Sequence, residues 1–224
     1  SLLDGSDLCS PLAAADDLAL PEYMSTLGPT GMTAWLGLFR IGQPKPDDVV
    51  VVSAAGGAVG TIVGQLAKSV GCRTIGLVSS AEKAQWLTEE VGYDIAISRE
   101  VQPDLARALS EAAPSGVDLF FDNVGGSVLN TVMGQLQEGA RLVLCGAISQ
   151  YEADVEPVTH TWELITKRAR MEGFMFSDYT DEFPAVIETL ESQLRTGELK
   201  TFDQRYQGIE QTPIAFCDMM SGVS

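Results

Sequence analysis

The chain of 224 residues is 45% hydrophobic and 20% charged, enough to bury the core of one large α/β domain. Its formal net charge of −17 argues against nucleic acid and anionic membrane as partners, and the lack of a long apolar run or a basic leader predicts a soluble, cytoplasmic protein. Cys9, Cys72, Cys145 and Cys217 stand far apart and His160 is the only histidine, a pattern that supports neither a zinc site nor a nucleophilic triad.

Residues 1–27 read as irregular and acidic, a linker or the remnant of a further domain. Over residues 30–39, Met32, Trp35, Leu36 and Phe39 recur at helical spacing. Residues 49–70, VVVVSAAGGAVGTIVGQLAKSV, join a β-branched run suited to a buried parallel strand, a small-residue turn, and a helix whose inner face is Val59, Ile62, Val63, Leu66 and Val70. A second strand is expected over 73–78. Ser79 and Glu82 then have capping-box spacing for a helix that turns Ala84, Leu87 and Val91 inward and stops at Gly92.

Residues 95–98 read as a third strand, Leu105, Ala108, Leu109 and Ala112 as a helix, and 117–122 as a fourth strand. A helical stretch to about Leu136 follows, then a fifth strand at 141–145, a helix through Trp162, Ile165 and Ala169, and a sixth strand at 171–176. Asp181 is placed to cap a helix with Phe183, Val186, Ile187, Leu190 and Leu194 on one stripe, ended by Gly197. An extended run over 199–206 leads to a last helix starting near Thr212 and Pro213. This alternation predicts a Rossmann-type, doubly wound α/β fold with about six parallel strands in the order 3-2-1-4-5-6. The expected division is a cofactor domain over 28–198, with 199–224 returning toward a catalytic domain.

The turn at 55–60 has the form A-x-G-x-x-G, a variant of the dinucleotide fingerprint. Gly57 lets the backbone approach a pyrophosphate, Gly60 lets the helix lie close to the strand, and the amides of Ala58 and Val59 join them at the helix start. The end of the second strand, Leu77-Val78-Ser79-Ser80, lacks the carboxylate that an NAD site places there. Ser79, Lys83 and Arg99 are instead positioned to surround a 2′-phosphate, so the expected cofactor is NADP (NADPH). The alternative is that Ser79 is a helix cap and Lys83 a solvated side chain.

Five segments together carry a family resemblance: GMTAW at 31–35, AAGGAVG at 54–60, EK at 82–83, FDNVGG at 121–126 and CGAISQY at 145–151. The chain resembles the zinc-free medium-chain dehydrogenase/reductase superfamily, in its prostaglandin reductase and alkenal double-bond reductase group. The resemblance implies a split design of GroES-like catalytic barrel, Rossmann domain and a return to the barrel, of which this chain lacks nearly all the barrel. It implies that Gly57 to Gly60 hold the pyrophosphate and Lys83 the 2′-phosphate. It also implies that Asn123, Cys145, Gly146, Ala147 and Ile148 line the nicotinamide half, and that Phe174, Met175 and Phe176 border the active-site edge. Tyr151 would bond a cofactor ribose and is the one candidate catalytic donor; turn capping by Asn123 and packing of Tyr151 are the alternatives. Two departures from the family pattern are expected: Arg99, where a tyrosine is usual, and the asparagine-containing segment after the last helix, which is missing or cut short. The implied chemistry is NADPH-dependent reduction of an enone double bond, with a quinone reductase or a non-catalytic nucleotide-binding module as alternatives and a homodimer through a sheet edge as the expected assembly.

Overall fold

The computed structural model describes residues 17–151 and 155–222, so Cys9 and most of the irregular N-terminal stretch lie outside the described residues. Six strands form one parallel sheet: β1 (Val49–Ser53), β2 (Arg73–Val78), β3 (Ile95–Ser98), β4 (Val117–Asp122), β5 (Leu136–Leu144) and β6 (Arg170–Gly173). Their order is β3-β2-β1-β4-β5-β6, the doubly wound order expected. The winding reverses between β1 and β4, which opens a crevice at the carboxyl ends of those strands.

Helices cover both faces of the sheet. They are α1 (Leu20–Met24), α2 (Pro29–Trp35), α3 (Ala58–Ser69), α4 (Ala81–Trp86), α5 (Leu105–Ala112), α6 (Gly126–Met133), α7 (Thr161–Thr166), α8 (Phe183–Thr196) and α9 (Thr212–Ser221). The valines of β1 show why the run is continuous: Val50 and Val52 enter one core with Ile62, Val63, Leu66, Phe121 and Leu190, while Val51 enters the other with Ile75, Leu109, Phe120 and Leu129. All three valines are fully buried, each contributing about 1.5–3 kcal/mol of apolar transfer.

Several expectations are corrected. The first predicted helix does not stop near Phe39 but continues from α2 as a π-helical stretch, Leu36–Gly42, ended by Gln43 in a left-handed conformation. Ser79 does not cap α4: Ser80 does, its hydroxyl accepting from the Lys83 amide at 3.2 Å. Leu136 belongs to β5 rather than to a helix, because it pairs with Val117 and an irregularity in register then restores pairing from Arg141 onward. Asp181 caps nothing; it sits within a 3₁₀ stretch, Phe176–Glu182, and Glu182 holds the cap position without a side-chain bond. The sixth strand ends at Gly173, before Phe176. Ala169 falls after α7, whose Trp162 and Ile165 are both 66% exposed. Residues 199–206 join no strand, and Thr212 is the first helical residue of α9 rather than its cap.

Candidate functional site

The turn between β1 and α3 is tight for a reason visible in its atoms. Ala54 adopts a left-handed conformation, φ 47°, and its carbonyl accepts from the Gly57 amide at 2.9 Å. A Cβ on Gly60 would lie 2.6 Å from that carbonyl oxygen and 2.7 Å from Ala55 Cα, so only glycine lets the helix begin so close to the strand. Tyr93 fastens the helix from the other side, donating its hydroxyl to the Gly60 carbonyl at 2.6 Å with its ring where a Gly64 Cβ would stand 2.1 Å away. No side chain caps α3, and Gly57 and Ala58 are exposed at its start. The Gly57 amide is already committed to the turn, so the first-turn donors left to an anion are those of Ala58, Val59 and Gly60.

Beside this turn lies a groove of about 820 Å³. One wall is Gly56 with Ser80, Lys83 and Trp86 of α4; the other is the segment at 201–205. The Lys83 stem crosses the glycine, with Cδ 3.6 Å from where a Gly56 Cβ would be. Burial lowers the Lys83 pKa from its ordinary value, with Glu82 acting in the opposite sense, so an arriving phosphate would favour the charged amine again. Ser79 and Arg99 are exposed at the ends of β2 and β3 and do not line the groove. The nearby Glu100 carboxylate accepts from the Ala81 amide at 3.0 Å.

The segment opposite is firmly attached. Leu199 is buried, Gln65 bonds both the amide and the carbonyl of Lys200 at 2.9 and 3.0 Å, and the hydroxyls of Thr26 and Thr201 meet at 2.9 Å. Phe202 then stands edge-on to Trp86 with ring centres 5.1 Å apart.

Across the crevice, the ends of β1, β4 and β5 are tied by one buried carboxylate. Asp122 is fully buried, accepting from the Ser53 hydroxyl at 2.7 Å and from the Val124 and Gly125 amides at 3.0 and 3.1 Å. Burial pushes its carboxyl above the usual range, and these three donors pull the other way. The Asn123 side chain donates to the Ser53 carbonyl at 2.7 Å, and the Asn123 main-chain carbonyl accepts from the Ile148 amide at 3.3 Å. The amides of Cys145 and Gly146 both reach the Asp122 carbonyl, at 2.8 and 3.1 Å. Asn123 and residues 145–148 are thus brought together. Burial and the Asp122 charge push the Cys145 thiol up to about 12, which favours its neutral form.

The remaining expected residues divide. Tyr151 is 67% exposed. Phe174 packs into the core, in contact range of Gly37 and the core residue Phe121, and Phe176 stacks on Phe183 with ring centres 6.0 Å apart. Met175 is exposed. Reasoning from sequence missed Ser80, Trp86 and the whole 201–205 wall; only Ser80 had a local signal, being one residue from the chosen cap. Among the described residues, no three His, Cys, Asp or Glu side chains are grouped to hold a metal, and no helix is long and apolar enough to cross a membrane.

Comparison with known proteins bears on this geometry. Residues 58–192 match the family model described as zinc-binding dehydrogenase. The chain is 39% identical over 207 residues to an NADP(+)-dependent 2-alkenal reductase of Nicotiana tabacum, covering 92% of this chain and 60% of that protein. It is 37% identical over 226 residues to prostaglandin reductase 1 of Oryctolagus cuniculus, covering 99% and 64%. The crystal structure of CurA in complex with NADPH from Vibrio vulnificus superposes with a TM-score of 0.86 at 36% identity, over 94% of this chain and 65% of that one. The chain therefore spans about three fifths of the length of these relatives. With the doubly wound sheet, the glycine turn and these matches in agreement, the chain belongs to the medium-chain dehydrogenase/reductase superfamily, in the group of prostaglandin and alkenal double-bond reductases.

Proposed function

We propose that this chain is the NADPH-holding part of an oxidoreductase that reduces the carbon–carbon double bond of α,β-unsaturated carbonyl compounds. The observation that carries the proposal is the glycine turn with the Lys83 stem beside it: Gly60 lets α3 begin close against the strand, its first-turn amides are uncapped, and a cation lies in the adjoining groove. A dinucleotide with an extra phosphate fits those donors. The amides of Ala58, Val59 and Gly60 hold the pyrophosphate, and Lys83 and Ser80 the 2′-phosphate. Asn123 and residues 145–148 orient the nicotinamide half, with Asp122 fixing both. Tyr151 and Met175, both exposed, are the side chains we assign to the ribose and the acceptor, while Phe174 and Phe176 pack against the core on either side of Met175.

When bound, the nicotinamide supplies a hydride to the β-carbon of the enone. The chain's part is to position that ring. In this reading 28–198, with the segment at 201–205 packed on it, carries the cofactor, and residues 1–224 alone bind NADPH but turn over little enone, because the relatives extend well beyond the part matched here. The assembly we propose is a pair joined along the open edge of β6; a strictly monomeric sedimentation profile at micromolar concentration contradicts it. The test of activity is NADPH oxidation by a protein carrying the relatives' full length, with enones and quinones compared. Faster reduction of enones supports the proposal; activity confined to quinones overturns it.

A further inference from the structure

We propose that Arg205 is a second cation for the 2′-phosphate, delivered across the groove from Lys83 by the segment at 199–205; the inference rests on the NADPH reading above. Four charged side chains line the groove: Lys83 and Glu82 on the α4 wall, Arg205 and Asp203 on the other. The two cations balance the two carboxylates. Without Arg205 the lining would carry a net negative charge toward a phosphate dianion, in a chain whose overall charge of −17 already repels it. Lys83 alone does not reverse that sign.

The backbone that presents Arg205 is placed by the Leu199 side chain, the paired Gln65–Lys200 bonds, the Thr26–Thr201 contact and the Phe202–Trp86 ring pair. The Arg205 side chain is 73% exposed and its guanidinium lies 3.7 Å from the Asp203 carboxylate, a long and solvent-screened pairing that a phosphate can replace. A guanidinium also offers a planar fork to two phosphate oxygens, which a lysine amine does not. Lys83 and Arg205 would then close on the phosphate from opposite walls.

The experiment is calorimetric titration of residues 1–224 with NADPH and with NADH, comparing the wild type with Arg205→Ala, Arg205→Lys and Asp203→Asn. Loss of a hydrogen-bonded charge predicts that Arg205→Ala weakens NADPH by about tenfold or more while NADH changes by less than about twofold. Arg205→Lys retains part of the preference, and Asp203→Asn, which removes the competing carboxylate, tightens NADPH selectively. Equal loss for both cofactors, or no loss for either, overturns the assignment of Arg205, as does weaker NADPH binding by Asp203→Asn. A wild type that binds neither cofactor instead overturns the NADPH reading itself and takes this inference with it.

Discussion

At the scale of single residues, Ala54 and Asp122 show what the crevice costs the fold. A side chain in the left-handed region is disfavoured by about 1–2 kcal/mol, so Ala54→Gly removes strain, less the extra entropy glycine gives the unfolded chain. Thermal denaturation should show a rise in melting temperature from that substitution; a fall would mean the methyl group contributes packing that outweighs the strain. Asp122 carries a pH signature. Its folded pKa is raised by burial, so its proton is held more tightly in the folded state, and its contribution to stability is present at low pH and lost as pH rises through the folded value. Asp122→Asn, which has no such ionisation, should flatten that decline in melts run from acid to neutral pH; an unchanged slope would assign the decline to another group.

At the scale of elements, the strand–turn–helix unit is held by close approach rather than by capping. Gly64→Ala would drive a methyl group into the Tyr93 ring, and the overpacking should destabilise the chain by about 1–3 kcal/mol in denaturant titration. A neutral result would mean that Tyr93 swings aside without loss of its bond to Gly60. This unit is legible in the sequence because its pattern is local: four valines, two spaced glycines and a helical stripe reproduce β1 and α3, and β2, β3 and β4 span the residues expected of them. Where contacts between distant segments decide, the pattern misleads. The start of β5 follows from Leu136 pairing with Val117, a partner nineteen residues earlier that no periodicity of Gln137-Glu138-Gly139 reveals. Trp162 and Ile165 do lie in the helix their spacing predicts, α7, which stops at Thr166 before Ala169. Ser79 and Ser80 are equivalent as letters, and only the backbone conformation at Ser80, extended with ψ 159°, selects it as the cap.

At the scale of the whole molecule, the site has two halves joined at the end of β1. Ser53 bonds Asp122 and Asn123 on one side, and the turn that follows it meets Lys83 on the other. The first half was legible from FDNVGG and CGAISQY through family resemblance. The groove was legible only on its α4 wall, since the opposing segment arrives more than a hundred residues later in the chain and has no motif of its own. Against an acidic surface, selection for the extra phosphate depends on local cations, and this makes cofactor preference the sharpest readout of the account. The direct measurement is a pair of fluorescence titrations with NADPH and NADH on the wild type and on Lys83→Ala. The account predicts that the wild type prefers NADPH, and that Lys83→Ala weakens NADPH by about ten- to a hundredfold while leaving NADH nearly unchanged. Equal affinity of the wild type for both cofactors, or an equal loss of both in the variant, would contradict it.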